Sequence, residues 1–227
     1  MLLNERPINK QALLDIQQDI QKHSPYPQKV KLIAVTKTIS LENIAKEINK
    51  YFSIIGESKI QETENKIKKL NNIPEIHMIG HLQTNKVNKA VKIYQMIQTV
   101  DSIKLATKIN TAAQKTNKQQ NILIQINISK NSNQYGISLK EVDSTIENIL
   151  KLSNINLKGI MAIAANTTSK TTIIKQYRKM FDLQRRLAKT VSPKINEISM
   201  GMSQDYVLAL QNGATMIRVG SKLFGKR

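Results

Sequence analysis

Eight short apolar runs, spread along the whole chain, constrain the fold more than any other feature of this sequence. Each run is almost continuously apolar, which is typical of strands that are buried on both faces of a parallel sheet. The segments between the runs must then supply the crossover connections that parallel strands require. The predicted strands cover residues 32–35, 52–55, 76–79, 96–100, 122–128, 157–163, 195–198 and 215–219.

The connecting segments carry apolar residues at helical spacing. Residues three or four positions apart share one face of a helix, and two such sets are clear. They are Leu41, Ile44, Ile48 and Leu139, Val142, Ile146, Ile149. Capping-box patterns at residues 58–61 and 138–141 predict that helices begin there. Helices therefore alternate with the predicted strands.

An additional amphipathic helix is predicted before the first strand. Ile8, Ala12, Ile16 and Ile20 lie on one of its faces, and the two prolines of residues 24–27 end it. It is additional to the strict alternation of strands and helices.

Strict alternation of eight strands with helices predicts an α/β fold, and closure into a (β/α)₈ TIM barrel is the expected architecture. An open, doubly wound sheet is the alternative. The length of 227 residues suits one barrel, and no Gly/Ser/Pro-rich linker divides the chain. We therefore expect residues 1–227 to form one domain.

The net charge of +19 raises the question of nucleic-acid binding. The basic residues, however, are scattered over most of the predicted helices. Aromatic residues make up only 4% of the chain and do not interleave with the basic residues, as a base-stacking surface would require. We expect weak electrostatic attraction to polyanions and no specific nucleic-acid function.

The chain contains no cysteine, which excludes disulfides, thiolate metal sites and a cysteine nucleophile. Its first residues have no apolar core of a signal peptide, and no run of 18 apolar residues occurs. The expected location is the cytoplasm, with no membrane attachment.

In a barrel of this kind the functional groups lie at the C-terminal ends of the strands. After strands 7 and 8 come Gly201 with Ser203, and Gly220 with Ser221. Glycines allow close backbone approach, and a helix start that Ser203 caps would direct N–H groups at an anion. The pattern favours a phosphate site, although two ordinary strand-to-helix turns would have the same residues.

Two basic residues stand at the same predicted rim. Lys37 ends the first strand and is either a solvated lysine or a desolvated amine with a lowered pKa that forms a Schiff base. Arg218 lies inside the eighth strand and needs an acceptor. That acceptor is either a carboxylate, such as Glu57 or Glu197, or the ring nitrogen of a cofactor.

His77 and His81 flank Gly80 after the third strand and could suggest a metal ion. A zinc site needs further ligands, and the sequence presents no third one. We therefore expect no metal site in this protein.

Six motifs follow one another along the chain. They are KLIAVTKT at 31–38, HMIGHLQTNK at 77–86, IQINIS at 124–129, GIMAI at 159–163, SMGMS at 199–203 and MIRVGSKLFG at 216–225. The same motifs, in the same order, occur in the pyridoxal phosphate homeostasis proteins. The chain resembles this family essentially from end to end, and the family consists of single-domain relatives of the alanine racemase N-terminal barrel.

The resemblance implies a barrel like that of fold type III enzymes that use pyridoxal 5′-phosphate (PLP). It implies that Lys37 holds PLP as a Schiff base and that Arg218 contacts the pyridine nitrogen. Ser203, Gly220 and Ser221 would hold the phosphate. One departure concerns the second strand, where the family usually has Gly-Glu-Asn-Tyr and this chain has an asparagine replaced by Ser58. A cofactor contact is therefore either lost or made by Ser58.

The function implied is intracellular PLP homeostasis, as a carrier or regulator that releases PLP to PLP-requiring apo-enzymes. The alternative is an amino-acid racemase or a related PLP enzyme. The related racemases take their second base, a tyrosine, from a C-terminal β-domain across a dimer interface. This sequence ends a few residues after the eighth strand, and only Tyr135 lies in a loop near the mouth. We expect a monomer that does not turn over amino acids.

Overall fold

The computed structural model describes residues 8–39, 45–68 and 72–225. Eight parallel strands close into a barrel in chain order, β1 pairing with both β2 and β8. The predicted (β/α)₈ barrel is confirmed and the open sheet is wrong. The strands are β1 Lys31–Val35, β2 Ile54–Glu57, β3 Glu75–Met78, β4 Met96–Val100, β5 Gln120–Ile126, β6 Ile155–Ala162, β7 Glu197–Met202 and β8 Met216–Val219.

Helices surround the barrel and fill the crossovers between its strands. None of those in the described part of the chain is long and apolar enough to cross a membrane. They are α1 Lys10–His23, α2 Ala45–Tyr51, α3 Ile60–Ile67, α4 Val87–Ile93, α5 Ile103–Lys115, α6 Val142–Leu150, α7 Lys170–Thr190, α8 Tyr206–Gln211 and α9 Ser221–Phe224.

The extra N-terminal helix is confirmed as α1. Ala12, Ile16 and Ile20 are buried, and the Asn9 side chain caps the helix by accepting a hydrogen bond from the Ala12 N–H at 2.9 Å. The Asn9 N–H donates to the carbonyl of Leu223 in α9 at 2.9 Å. The helix thereby lies against the end of the chain, beside the last strand.

Several predicted strands are displaced along the chain, and the shifts of β2, β5 and β7 have identifiable causes. β2 starts two residues later than predicted. The Phe52 N–H donates to the Ile48 carbonyl at the end of α2, so the apolar Phe52 belongs to the end of this helix and not to the strand. β5 begins earlier because Gln120, although polar, is buried and donates to the Tyr94 and Gln95 carbonyls. β7 extends to Met202 because its polar residue Ser199 is hydrogen-bonded inside the barrel.

The two predicted capping boxes, at residues 58–61 and 138–141, have different outcomes. At α3 the N-cap is Lys59, without a side-chain cap, so the capping box at Ser58 is wrong. At the second pattern the Glu141 carboxylate does accept from the Ser138 N–H at 3.1 Å. This bond closes a turn, however, and α6 begins only at Val142.

The predicted apolar faces are confirmed in part. Val142, Ile146 and Ile149 are buried, whereas Leu139 precedes α6 and is 37% exposed, which contradicts its prediction. Ile48 is buried, while Leu41 and Ile44 lie outside the described residues.

Side chains that alternate along the strands form two apolar layers. One layer lies between the barrel and its helices, and the other fills the barrel interior, as in TIM barrels generally. The interior layer fixes which strand positions point inwards. It consists of Ile33, Ile54, Met96, Leu123, Met161 and Met216.

Gly159 of β6 lies where the backbone of β7 comes closest. A Cβ atom at this position would stand 1.9 Å from the Glu197 oxygen and 2.6 Å from its carbonyl carbon. Those backbone atoms belong to the pairing between the two strands, so they cannot move aside cheaply. We expect Gly159→Ala to lower the free energy of unfolding by about 3 kcal/mol, measured by urea denaturation. An unchanged midpoint would contradict this packing.

Candidate functional site

The C-terminal rim of the barrel brings together the loops that were predicted to carry the site. In a closed parallel barrel all strand ends of one sense meet at one mouth. The predicted residues follow β1, β2, β7 and β8, which are consecutive around the barrel because β8 pairs with β1. The residues on these loops are Lys37, Ser58, Ser203 and Gly220, with Gly201 near the end of β7 and Ser221 at the start of α9.

Lys37 lies two residues beyond the end of β1, at the rim of the barrel. Its side chain is partly buried. Lys37 and Thr38 are the central residues of a turn, in which the Ile39 N–H donates to the Thr36 carbonyl at 3.1 Å. That the amino group of Lys37 faces the barrel mouth stays a prediction.

Arg218 points into the barrel beneath the rim and is only 4% exposed. Its guanidinium donates to Ser199 Oγ at 2.7 Å and to the Ala162 carbonyl at 3.0 Å, both neutral acceptors. Glu57 and Glu197, the carboxylates considered from the sequence, pair with lysines instead. The structural salt bridge considered for Arg218 is therefore wrong.

Burial lowers the pKa of Arg218, while nearby Tyr177 and Asp205 act to raise it. An arginine remains charged in proteins, so a buried cation here has neutral hydrogen-bond partners, with the Asp205 carboxylate nearby. A buried cation in such surroundings favours a further acceptor or anion.

A chain of hydrogen bonds runs from Arg218 through the barrel interior. Ser199 Oγ accepts from Arg218 and donates to Gln98 Oε1 at 2.6 Å. Gln98 Nε2 lies 2.8 Å from His77 Nδ1, and His77 Nε2 lies 2.8 Å from Glu75 Oε1. Because arginine can only donate, every bond in this chain is oriented away from it. The middle three residues are fully buried.

This orientation assigns the histidine tautomer. Gln98 uses its NH₂ group towards His77, so Nδ1 accepts and the proton resides on Nε2. The hydrogen bond from His77 lowers the pKa of Glu75. His77 thus has a role inside the barrel, and the described residues contain no group of three or more metal-ligating side chains. That the protein needs no metal stays a prediction.

The loops after β7 and β8 meet through Ser203. Its Oγ accepts hydrogen bonds from the N–H groups of Gly220 and Lys222, at 3.2 and 3.4 Å. The predicted capping of α8 by Ser203 is wrong, since Asp205 takes the N-cap position and accepts from the Met202 N–H at 2.6 Å. Ser203 instead faces the start of α9, where backbone donors converge.

Gly201 is required by the backbone of this loop. Its φ of 89° lies in the left-handed region, which favours glycine. A Cβ atom here would also stand 2.5 Å from the Cβ of Ala209 in α8. Glycine therefore lets the end of β7 pass close to the following helix.

Ser58 is partly exposed at the end of β2, and its backbone abuts the next loop. A Cβ atom on Gly80 would stand 2.5 Å from the Ser58 carbonyl oxygen, so these loops touch through their backbones. A contact between Ser58 and a cofactor stays a prediction.

The opposite part of the rim has an aromatic pair. The rings of His81 and Tyr135 stack at 3.7 Å between centroids and 11° between planes, and His81 Nδ1 lies 3.3 Å from Asp101 Oδ2. Tyr135 is 56% exposed. Sequence reasoning placed Tyr135 near the mouth and did not foresee its histidine partner.

This chain is similar in sequence to known proteins along most of its length. The family model for the N-terminal domain of alanine racemase matches residues 8–227. The pyridoxal phosphate homeostasis protein of Pasteurella multocida is 36% identical over 226 residues, covering 96% of this chain and 97% of the relative. The Escherichia coli K12 protein of the same name is 33% identical over 211 residues, covering 88% and 87%.

Solved structures agree on the fold. PipY of Synechococcus elongatus, solved with PLP bound, is 27% identical with a TM-score of 0.82, covering 94% of this chain and all of that one. Alanine racemase of Clostridium difficile is 19% identical with a TM-score of 0.76, and the match spans 59% of the enzyme. By sequence and by fold, the chain belongs to the pyridoxal phosphate homeostasis proteins, a family built on the alanine racemase N-terminal barrel.

Proposed function

We propose that this protein binds PLP covalently through Lys37 and acts in PLP homeostasis as a carrier or regulator that turns over no amino acid. The observation that carries the proposal is the meeting, at one rim, of a partly buried lysine, a buried arginine and two convergent backbone N–H donors. These are the three kinds of group that the aldehyde, the ring nitrogen and the phosphate of PLP require.

The phosphate end of the proposed site already accommodates an oxygen atom. Gly220 and Lys222 direct their N–H groups at Ser203 Oγ, over distances at or beyond the usual limit for such bonds. A phosphate oxygen is a stronger, charged acceptor and would compete for these donors. The Ser203 and Ser221 hydroxyls and the close-fitting Gly201 complete the proposed phosphate site.

The ring end of the proposed site is set by Arg218. PLP supplies an electron sink when it is bound, and the strength of that sink depends on the group facing its ring nitrogen. A guanidinium can only donate, so it keeps the ring nitrogen unprotonated and the sink weak. Ser199 and the Ala162 carbonyl hold the guanidinium in place.

The lack of turnover rests on the second acid–base group that racemisation needs besides Lys37. Each such group contributes about 10²- to 10⁴-fold to the rate. Tyr94, Tyr177 and Tyr206 are hydrogen-bonded to other side chains, and burial raises the pKa of each. Among the described tyrosines Tyr135 is the one placed at the rim beside a histidine, and it favours the racemase as second candidate.

The test is to load the protein with PLP, add L-alanine in D₂O and follow α-proton exchange by NMR and inversion by chiral chromatography. We expect the rate of inversion to stay within about tenfold of that with free PLP, since inversion needs an acid–base group on each face of the substrate and one is missing. Inversion far above that level, lost in both Lys37→Ala and Tyr135→Phe, would establish the racemase instead. Release of PLP to an apo-enzyme, by a monomeric protein, is the proposed use of the bound cofactor.

A further inference from the structure

We infer that three ionised side chains around Lys37 act as a positioning device for its amino group. We call Glu57, Glu62 and Lys66 the ion triad; it joins the end of β2 to α3. The inference rests on the proposed covalent binding of PLP by Lys37. It assigns a role to residues that the mechanism above does not use.

Lys66 is the centre of the ion triad. Its ammonium group lies 2.7 Å from Glu57 Oε1, 2.6 Å from Glu62 Oε1 and 2.7 Å from the Thr36 carbonyl oxygen. An ammonium has three N–H donors, so these three acceptors use all of them. The side chain is 9% exposed. Lys66 is therefore held rigidly and is not available as a second amine for PLP.

The ion triad forms hydrogen bonds with the residues on both sides of Lys37. Before it, the Thr36 hydroxyl donates to Glu57 Oε1 at 2.6 Å, and the Thr36 carbonyl accepts from Lys66. After it, the Thr38 N–H donates to Glu62 Oε1 at 2.5 Å. The backbone of Lys37 thus lies between two anchored peptide groups, and its amino group starts from a fixed point.

Thr38 adopts a backbone conformation that needs such an anchor. Its φ of 65° is in the left-handed region, which is rare and unfavourable for a β-branched residue. Strain of this kind persists only where the surroundings enforce it. The bond to Glu62 does so, and without it we expect the turn after Lys37 to relax.

The composition of the ion triad argues for a purpose beyond holding α3 against the barrel. Removing carboxylates and an ammonium from water is costly, and apolar side chains of similar volume often stabilise a fold as well or better. Glu57 is fully buried, and its Oε2 atom has no hydrogen-bond partner in the described part of the chain, which adds to the cost. What the arrangement provides in exchange is the set of directional bonds to Thr36 and Thr38.

The experiment compares Glu62→Gln with Glu64→Gln. Both carboxylates lie on α3, pair with a lysine and are similarly exposed, at 23% and 25%, but Glu64 pairs with Lys89, away from the loop. Two quantities are measured for each intact protein. One is the rate of covalent capture of PLP by stopped-flow absorbance, and the other is the affinity for pyridoxine 5′-phosphate, which has no aldehyde and tests the rest of the site.

We expect Glu62→Gln to slow covalent capture by at least about tenfold, since small misplacements of a reacting group have effects of this size or larger. Its affinity for pyridoxine 5′-phosphate should stay within about twofold of the wild type, because this ligand does not react with the Lys37 amino group and its binding does not depend on the exact position of that group. Glu64→Gln should change neither quantity. Lys66→Arg, which keeps the charge, should retain more of the capture rate than Lys66→Met.

The outcomes are separable. If the wild type carried no borohydride-stable label on Lys37, the proposed function and this inference would both fail. If the wild type were labelled and Glu62→Gln captured PLP at the wild-type rate, only the inference would fail. Equal losses of capture and of pyridoxine 5′-phosphate affinity would indicate general loosening of the site and would also overturn it.

Discussion

Lys37→Ala should abolish the pyridoxyl label that borohydride fixes on the protein, together with its visible absorbance. An imine to PLP needs an unprotonated amine at the aldehyde, and Lys37 is the lysine that we propose supplies it at this rim. Lys66 lies near Lys37 in the fold, but all three N–H donors of its ammonium group are used in other hydrogen bonds. Mass spectrometry of digested, reduced protein locates the label.

Lys59→Ala is the matched control for this experiment. Lys59 is exposed at the start of α3, close to the same rim, and its removal should leave label and absorbance unchanged. Transfer of an equally strong label to another lysine in Lys37→Ala would show that the central assignment is wrong.

Arg218→Met should weaken PLP binding by about 10- to 100-fold, because a hydrogen bond from a charged donor contributes about 1.5–3 kcal/mol. Without the guanidinium the ring nitrogen can take up a proton, so the absorption band should also shift with pH. Titration of the variant with PLP, followed by absorbance at several pH values, measures both effects. Arg178→Met, which removes an exposed arginine on α7, is the control and should bind normally.

The same substitution should have two opposing effects on the stability of the PLP-free protein. Loss of the guanidinium would leave Ser199 and the Ala162 carbonyl without this donor, at about 1–3 kcal/mol for each buried group. It would also remove the desolvation cost of a buried cation, which acts in the opposite direction. Wild-type affinity for PLP in Arg218→Met would exclude this residue from the site.

Much of the fold and the location of the site were predictable because they depend on local pattern. Eight apolar runs at regular spacing indicated the barrel, and the rule that parallel strands end at one mouth brought Lys37 and Gly220 together. That the whole of residues 1–227 forms one domain stays a prediction.

The parts that sequence reasoning missed depend on contacts between distant residues. Ser199 and Gln98 are 101 positions apart, and no local pattern pairs them. Polar residues inside predicted strands were the available signal, since a buried polar side chain needs a partner. The wrong prediction of a capping box at Ser58 has the same origin, because the backbone of Ser58 abuts Gly80 of the next crossover and its side chain does not cap α3.

The hydrogen-bond chain inside the barrel has a consequence for how sequences of this kind can diverge. Gln98 must accept from Ser199 and donate to His77, a combination that ionised glutamate cannot provide and that asparagine is too short to span. Replacement of His77 by a residue without an acceptor would leave the NH₂ group of Gln98 without a hydrogen-bond partner in this chain of bonds. A change at Arg218 would remove the donor with which the chain of bonds begins. These positions can therefore be exchanged only together, as a coordinated set, while the apolar side chains around them are free to vary one at a time.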